Sequence, residues 1–344
     1  MTGSPESKYM LHALELAQRA RGMTNPNPMV GAVLVRGGVI IGEGYHHRAG
    51  SPHAEVNAFN DAEQRNESTE GAVLYVTLEP CSSYGRTPPC TERILRSGVK
   101  KVVIGCLDPN PRHNGKAVEI LKNAGIEVIC NVEEKACAEL NRAFFCWIRT
   151  GKPFVLLKMA STLDGKTATP EGDSFWVTNE LSRSRVQELR RMSDAIMVGA
   201  ETLRKDHPSL NVREPGNWQR QPLRIVASRS MTEQELFSYF PDRNAELADP
   251  EKEGWDNFLL RLGSRNIMML LLEGGSELAG SAISANAVDQ VEFHIAPKIL
   301  GGRNSRTVVG GKDPEKMLDA FKLANIRVCR YGDDIAVTGD LKEG

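Results

Sequence analysis

The stretch SPHAEVNA, residues 51 to 58, sets His53 and Glu55 two positions apart at the start of a helix-like run, and EPCSSYGRTPPC, residues 79 to 90, adds Cys81 and Cys90. One imidazole and two thiolates suit zinc and leave its fourth tetrahedral position open to water, as catalytic sites do. Pro88 and Pro89 place a helix start at Cys90, where the helix dipole favours a thiolate. Residues two apart on a regular helix are separated by about 200°, so His53 and Glu55 can serve one site only from the first turn. There His53 is a ligand. Glu55 stays outside the coordination shell and carries a proton from water to a leaving amine. That chemistry is hydrolytic deamination, whose sequence signature is H-x-E followed by P-C-x-x-C. This chain matches H-A-E and P-C but puts eight residues between its cysteines.

A structural zinc in a non-enzymatic binding protein would be closed by a fourth protein ligand; here the residue left over is a glutamate at deaminase spacing. Cys106, Cys130, Cys137 and Cys146 fall in strand or helix patterns and read as core. His46, His47 and His113 have no partner spacing and read as loop or surface residues.

The whole chain sets limits on these readings. Its 344 residues suggest two domains. With 40% apolar and 25% charged residues and no apolar run long enough to span a bilayer, it reads as a soluble globular protein. The N-terminus offers no basic segment followed by an unbroken apolar core, so the expected compartment is the cytoplasm. An odd number of cysteines, seven, fits reduced thiols. A net charge of −1 supplies no field for nonspecific nucleic-acid binding, so a small substrate is expected.

The N-terminal half alternates the two periodicities of an α/β layered domain. A helix over 9–20 precedes two strands in 29–45 around Gly37-Gly38, a helix from Ala54 to Gln64 and the strand AVLYVTLEP. A helix after Pro89, the strand KKVVIGCLDP, the helix GKAVEILKNAG and the strand EVIC follow. One last helix, EKACAELNRAFFCWIRT, runs into GKP at 151 to 153, a helix stop that sets the domain boundary. The second half offers strands FVLLKMAST, DAIMVGAETL, LRIVAS, NIMMLLLEGG and QVEFHIAPKIL, with helices NELSRSRVQELRRM and SELAGSAISAN. The polar, weakly periodic region 231–257 reads as a surface excursion. No G-x-G-x-x-G occurs in the second half, but Gly274-Gly275 lies between a strand and a helix, where phosphates can approach bare backbone amides.

The eight-residue cysteine gap, with NPNPMVGAVLV upstream and DPNP downstream, resembles the deaminase half of the bifunctional riboflavin-biosynthesis deaminase/reductase family. LLKMASTLDGKTA, GDSFWVT, VGAETLRKDHPSLNVR and LEGGSELAG resemble, in order, its reductase half. The resemblance spans nearly the whole chain. It implies a cytidine-deaminase-like three-layer α/β/α domain over 1–150 and a dihydrofolate-reductase-like α/β domain over 151–344. It also implies two activities: zinc-dependent deamination of 2,5-diamino-6-(5-phosphoribosylamino)pyrimidin-4(3H)-one, and NADPH-dependent reduction of the ribosyl group of 5-amino-6-(5-phosphoribosylamino)uracil to ribityl. A homo-oligomer is expected, with no nucleic-acid or membrane partner.

Carried over by position, Asn25, Asn27, Arg86, Asp108 and Asn110 would contact the deaminase substrate, Arg86 suiting a phosphate. Ala160, Trp176, Thr202, Asp206 and the turn Gly275, Ser276, Glu277, Leu278, Ala279, Gly280 and Ser281 would meet the dinucleotide. Lys158, Ser174, Arg190, Leu210, Arg213 and Glu273 would meet the reductase substrate. This chain departs from the family at Ser83-Tyr84, where relatives often have histidine, at His207, and at Ser228-Arg229, where Asp-Ser or Asp-Thr often ends the strand. No contact is carried over to those positions. The rival reading is a nucleoside or RNA-base deaminase with an unrelated C-terminal domain.

Overall fold

A computed structural model describes residues 4–84, 88–111, 113–174 and 176–341. The chain divides into two compact units, Met1–Gly151 and Lys152–Gly344.

The first unit runs α1 (Pro5–Gln18), β1 (Gly31–Arg36), β2 (Val39–Tyr45), α2 (Ala54–Gln64), β3 (Val73–Leu78), α3 (Cys90–Leu95), β4 (Lys101–Cys106), α4 (Lys116–Asn123), β5 (Glu127–Ile129), α5 (Glu134–Leu140) and α6 (Arg142–Thr150). Ser4 caps α1 and Pro5 opens it, so the helix begins four residues before its apolar pattern does. The five strands lie in the order β2-β1-β3-β4-β5, antiparallel around β1 and parallel from β3 to β5. Strand residues alternate between faces: Ala32, Leu34, Leu74 and Val76 pack with Ala54, Ala58, Phe59, Ile94 and Leu121 from α2, α3 and α4. Val33, Val35 and Tyr75 pack with Met10, Leu14 and Leu16 of α1 and with Cys137 and Phe145. The result is a three-layer α/β/α unit.

Two details position the chemistry. A Cβ on Gly44 would stand 2.5 Å from Ala58 N, so glycine lets α2 lie directly on the β2 backbone. The expected single last helix is two, α5 and α6, broken at Asn141. That side chain is buried and spans the Met29 backbone, accepting from its N–H and donating to its C=O, both at 2.8 Å.

The second unit continues with β6 (Phe154–Thr162), β7 (Lys166–Ala168), α7 (Glu180–Met192), β8 (Ala195–Gly199), α8 (Ala200–Asp206), β9 (Leu223–Ala227), α9 (Glu233–Tyr239), β10 (Ala245–Ala248), α10 (Pro250–Glu253), α11 (Trp255–Ser264), β11 (Met269–Glu273), α12 (Ser276–Ser284), β12 (Gln290–Ala296), β13 (Arg306–Thr307), β14 (Ala324–Tyr331) and β15 (Asp334–Asp340). Its eight-stranded sheet has the order β10-β9-β8-β11-β6-β12-β15-β14. The strands from β10 to β12 pair in parallel, and the β14–β15 hairpin closes one edge antiparallel. The apolar runs of β6, β8 and β11 are those of strands covered on both faces.

Two expectations are corrected here. DAIMVGAETL is a strand only to Gly199, where the chain turns directly into α8. Region 231–257 is part of the fold: β10 adds a parallel strand beside β9, and Leu236, Phe240 and Trp255 are buried. These anchors are too sparse to show a period. Among the described residues, no helix is long and apolar enough to cross a membrane.

Candidate functional site

His53 is the N-cap of α2, with extended backbone (φ −72°, ψ 166°), and Glu55 is buried in the first turn. Leaving helical geometry at His53 removes the 200° problem, and both side chains serve one place. The loop after β3 supplies Cys81, and α3 begins at Cys90 with Pro89 as its cap. Among the described residues these three form a group of donors within 4.8 Å of one another. His53 Nδ1 lies 3.5 Å from Cys81 Sγ and 3.3 Å from Cys90 Sγ. A tetrahedral zinc with ordinary bond lengths separates nitrogen and sulfur by about 3.5 Å, so the donor set fits this ion with one corner free of protein.

The charges agree. The Cys90 side chain holds the Cys81 thiol well below its usual range, at about 4, with help from His53 and from the Cys90 amide, which donates to Cys81 Sγ at 3.1 Å. Cys90 correspondingly keeps its proton, raised by Cys81, by burial and by Glu55. Three groups that share protons so closely leave room for a cation to replace them. Burial, then the charge of Cys81, pushes Glu55 up to about 7.

His53, Glu55, Cys81, Asn27, Asp108 and Asn110 line one cavity of about 510 Å³, within the usual range for small-molecule sites of roughly 300–1,000 Å³. Asn25 is half-buried just before Asn27 but does not line it. Arg86 lies outside the described residues.

The cavity also holds groups the sequence reading passed over. His46 is buried, correcting its reading as a surface residue. Its Nδ1 lies 3.1 Å from the Pro52 carbonyl, which can only accept, so Nε2 accepts from Asn27 Nδ2 at 3.0 Å. Asn27 is thereby fixed with its amide nitrogen committed and its carbonyl oxygen left for a ligand N–H. His113 lines the same cavity, again contrary to the surface reading. Glu79 lines it too and accepts from Asp108 N (3.2 Å), Gly115 N (2.9 Å) and Ala117 N (3.0 Å), pinning the loop that bears Asp108 and Asn110. The signal was a glutamate immediately before Pro80-Cys81, a place where a buried carboxylate needs donors.

In the second unit, Lys158, Ala160, Ser174, Trp176, Thr202, Asp206, Leu210, Arg190, Arg213, Glu273, Gly275 and Ser276 line one cleft. Arg190 and Glu273 form a bidentate pair at 2.8 and 2.7 Å, and Ser174 Oγ donates to Asp206 at 3.4 Å. Arg213 N donates to Gln187 at 2.8 Å, which seats the loop after α8 on α7. A second cavity shares Glu201, Thr202, Gly275, Ser276 and Arg306 with the first and adds Arg204, Glu277, Leu278, Ser281 and the departing positions Ser228 and Arg229. Gly275 has a φ of 84°, a conformation glycine adopts freely, and it leaves bare backbone at the start of α12. Ala279 is packed in the core and Gly280 against the Gly310 backbone, so these two members of the turn are not brought to either cavity. Two cavities that share the Gly275-Ser276 backbone and are lined by Arg190, Arg204, Arg213 and Arg306 fit a phosphorylated dinucleotide.

A hydrolytic zinc site in one α/β unit and a dinucleotide cleft in the other define a two-headed enzyme, deaminase and reductase. The model of the cytidine and deoxycytidylate deaminase zinc-binding region matches residues 4–106, and that of the RibD C-terminal domain matches 153–337. The riboflavin biosynthesis protein RibD of Aquifex aeolicus is 41% identical, with 96% of this chain and 97% of that protein covered. RibD of Escherichia coli is 38% identical, with 96% and 97% covered. The structure is similar to that of Acinetobacter baumannii RibD, with a TM-score of 0.86 at 36% identity and 98% of each chain covered. A diaminohydroxyphosphoribosylaminopyrimidine deaminase/5-amino-6-(5-phosphoribosylamino)uracil reductase from Thermotoga maritima matches with the same TM-score of 0.86 at 36% identity and 98% coverage. The chain belongs to the RibD family of riboflavin biosynthesis proteins.

Proposed function

We propose that the first unit deaminates 2,5-diamino-6-(5-phosphoribosylamino)pyrimidin-4(3H)-one and the second reduces the ribosyl group of the resulting 5-amino-6-(5-phosphoribosylamino)uracil to ribityl. The observation that carries this is the three-donor site with a free corner and a buried carboxylate beside it. Held by His53, Cys81 and Cys90, zinc would supply the Lewis acidity that makes water nucleophilic near neutral pH. Water adds to the ring carbon bearing the 2-amino group, and ammonia leaves. Glu55 accepts the proton from that water and returns it to the amine. Asn27, fixed by His46, accepts from the pyrimidine, while Asp108 and Asn110 are held for it by Glu79. Arg86 is assigned to the substrate phosphate.

In the second unit, NADPH would supply hydride to C1′ of the ribose. Lys158, Ser174, Leu210, Arg213 and the Arg190–Glu273 pair orient the substrate, with Arg213 at its phosphate. Ala160, Trp176, Thr202, Asp206 and, at the start of α12, Gly275, Ser276, Glu277, Leu278 and Ser281 hold the dinucleotide. The enzyme works in the cytoplasm on this small substrate, without nucleic acid or membrane. It forms a homo-oligomer: among the described residues β14 is the last strand of its sheet, with Ile326 and Val328 exposed, a surface that a second copy covers.

The test supplies purified protein with the diaminopyrimidine substrate and follows ammonia and NADPH oxidation. Ammonia should appear without NADPH, and NADPH should be consumed only as intermediate forms. Glu55→Ala should stop ammonia release, and Lys158→Ala should stop oxidation even with intermediate supplied. Deamination of an RNA oligonucleotide in place of this substrate would favour the rival.

A further inference from the structure

One buried cluster beside the reductase cleft has no task in the scheme above. Two arginines five residues apart on α7 each close on a carboxylate of the sheet below. Arg190 holds Glu273 of β11 inside the cleft. Arg185 holds Glu292 of β12, donating from Nε and Nη2, both at 3.0 Å, and this pair lies outside the cleft lining. Glu292 also lies 3.0 Å from Nε2 of His294, a fully buried residue whose ring stacks on Tyr331 with centroids 5.5 Å apart. A carboxylate only accepts, so Nε2 carries the proton, and Nδ1 has no partner among the described residues.

Between the two pairs runs β6 with Lys158. The parallel registers set Glu273 beside Lys158 on one side and Glu292 beside Lys158 on the other. Residues paired across neighbouring strands share a face at about 5 Å. Lys158 therefore has a carboxylate on each side, and both are already occupied by guanidinium groups. Among the described residues no ion pair within 4.0 Å reaches its ammonium.

We propose that Arg185, Glu292 and His294 form a positioning device for Lys158, placing a fixed negative charge beside the ammonium while withholding a hydrogen bond from it. Lys158 then stays charged in a desolvated cleft and keeps its N–H donors for the phosphoribosylamino substrate. The inference rests on the reductase reading above. The surrounding charges support it. Burial pushes Lys158 down, Arg190 does likewise, and Glu273 and Glu292 push it back up. Burial alone would raise Glu292, but the hydrogen bonds from His294 and Arg185 hold it down at about 2, so it is a carboxylate throughout the working range. Further charged or titratable groups at this face are Arg213, which acts on Glu273, Tyr331, next to Arg185 and Glu292, and Glu188, which accepts from Arg185 Nη1 at 2.9 Å.

Opposite substitutions test the device. Glu292→Gln keeps the shape and an acceptor for Arg185 but removes the charge. Arg185→Gln keeps the charge and frees Glu292 to pair with Lys158 directly. In full-length, NADPH-free protein, the pH dependence of Lys158 acetylation by acetic anhydride, read by peptide mass spectrometry, gives the titration of that amine. Glu292→Gln should lower its midpoint by about one to two pH units, and the alkaline limb of the NADPH-oxidation profile should fall with it. Arg185→Gln should move both upward, and the double variant should return close to wild type. Midpoints that stay put, or that move the same way in both variants, overturn the proposal. If Glu292→Gln does not fold, the upward shift expected of Arg185→Gln is read alone, and a midpoint that stays put or falls in that variant overturns the proposal. A wild-type protein that never oxidises NADPH would sink the reductase reading, whereas the labelling midpoints judge the Lys158 device independently.

Discussion

Cys81 and Glu55 stand in one site but answer for different steps, so their loss should be distinguishable. Cys81 is one of the three grouped donors, and Cys81→Ser should strip the zinc measured by elemental analysis of purified protein, along with deamination. Glu55 is not among the three grouped donors, so Glu55→Gln should retain about one zinc per chain while deamination falls roughly 10²–10⁴-fold, the usual contribution of a positioned acid–base group. A Glu55→Gln protein without zinc would make that residue a ligand. The donors and Glu55 were legible because zinc restricts both residue type and spacing. His46 and Glu79 were not, because each acts through a partner distant in sequence. Asn27 is 19 positions from His46, and Ala117 is 38 from Glu79. No spacing rule reaches across such separations.

The element that aims the deaminase chemistry is α2, seated on β2. Its Asn57 Nδ2 donates to the Tyr45 carbonyl at 2.8 Å. A methyl at Gly44 would stand 2.5 Å from Ala58 N and 2.6 Å from Asn57 Cβ. Gly44→Ala should therefore cost about 1–3 kcal/mol of stability by overpacking. It should also weaken zinc binding in a chelator competition, because the displaced helix carries His53 at its cap. Unchanged zinc affinity in a destabilised protein would show that the site does not depend on this packing. Most elements of both sheets were readable from alternation and apolar runs, since burial imposes those patterns locally. The failures have a common cause in tertiary demand. Asn141 leaves helical geometry to span Met29, and 231–257 joins the sheet through a few scattered anchors. The β14–β15 hairpin escaped because β14 is largely exposed and shows no buried face.

At the scale of the molecule, each ligand is linked to the unit whose residues would hold it. The three zinc donors all belong to Met1–Gly151, and the dinucleotide cleft to Lys152–Gly344. Each unit has its own buried core. A ligand that binds only the folded state stabilises it by about 2.7 kcal/mol at a hundredfold excess over Kd. Calorimetry should therefore show two transitions that answer to different additives. A strong chelator should lower one by several degrees and leave the other in place, and saturating NADPH should raise the second alone. If the chelator lowered both together, the two cores would unfold as one cooperative body, and the independence of the two heads would be lost at the level of stability even where their chemistry stays separate.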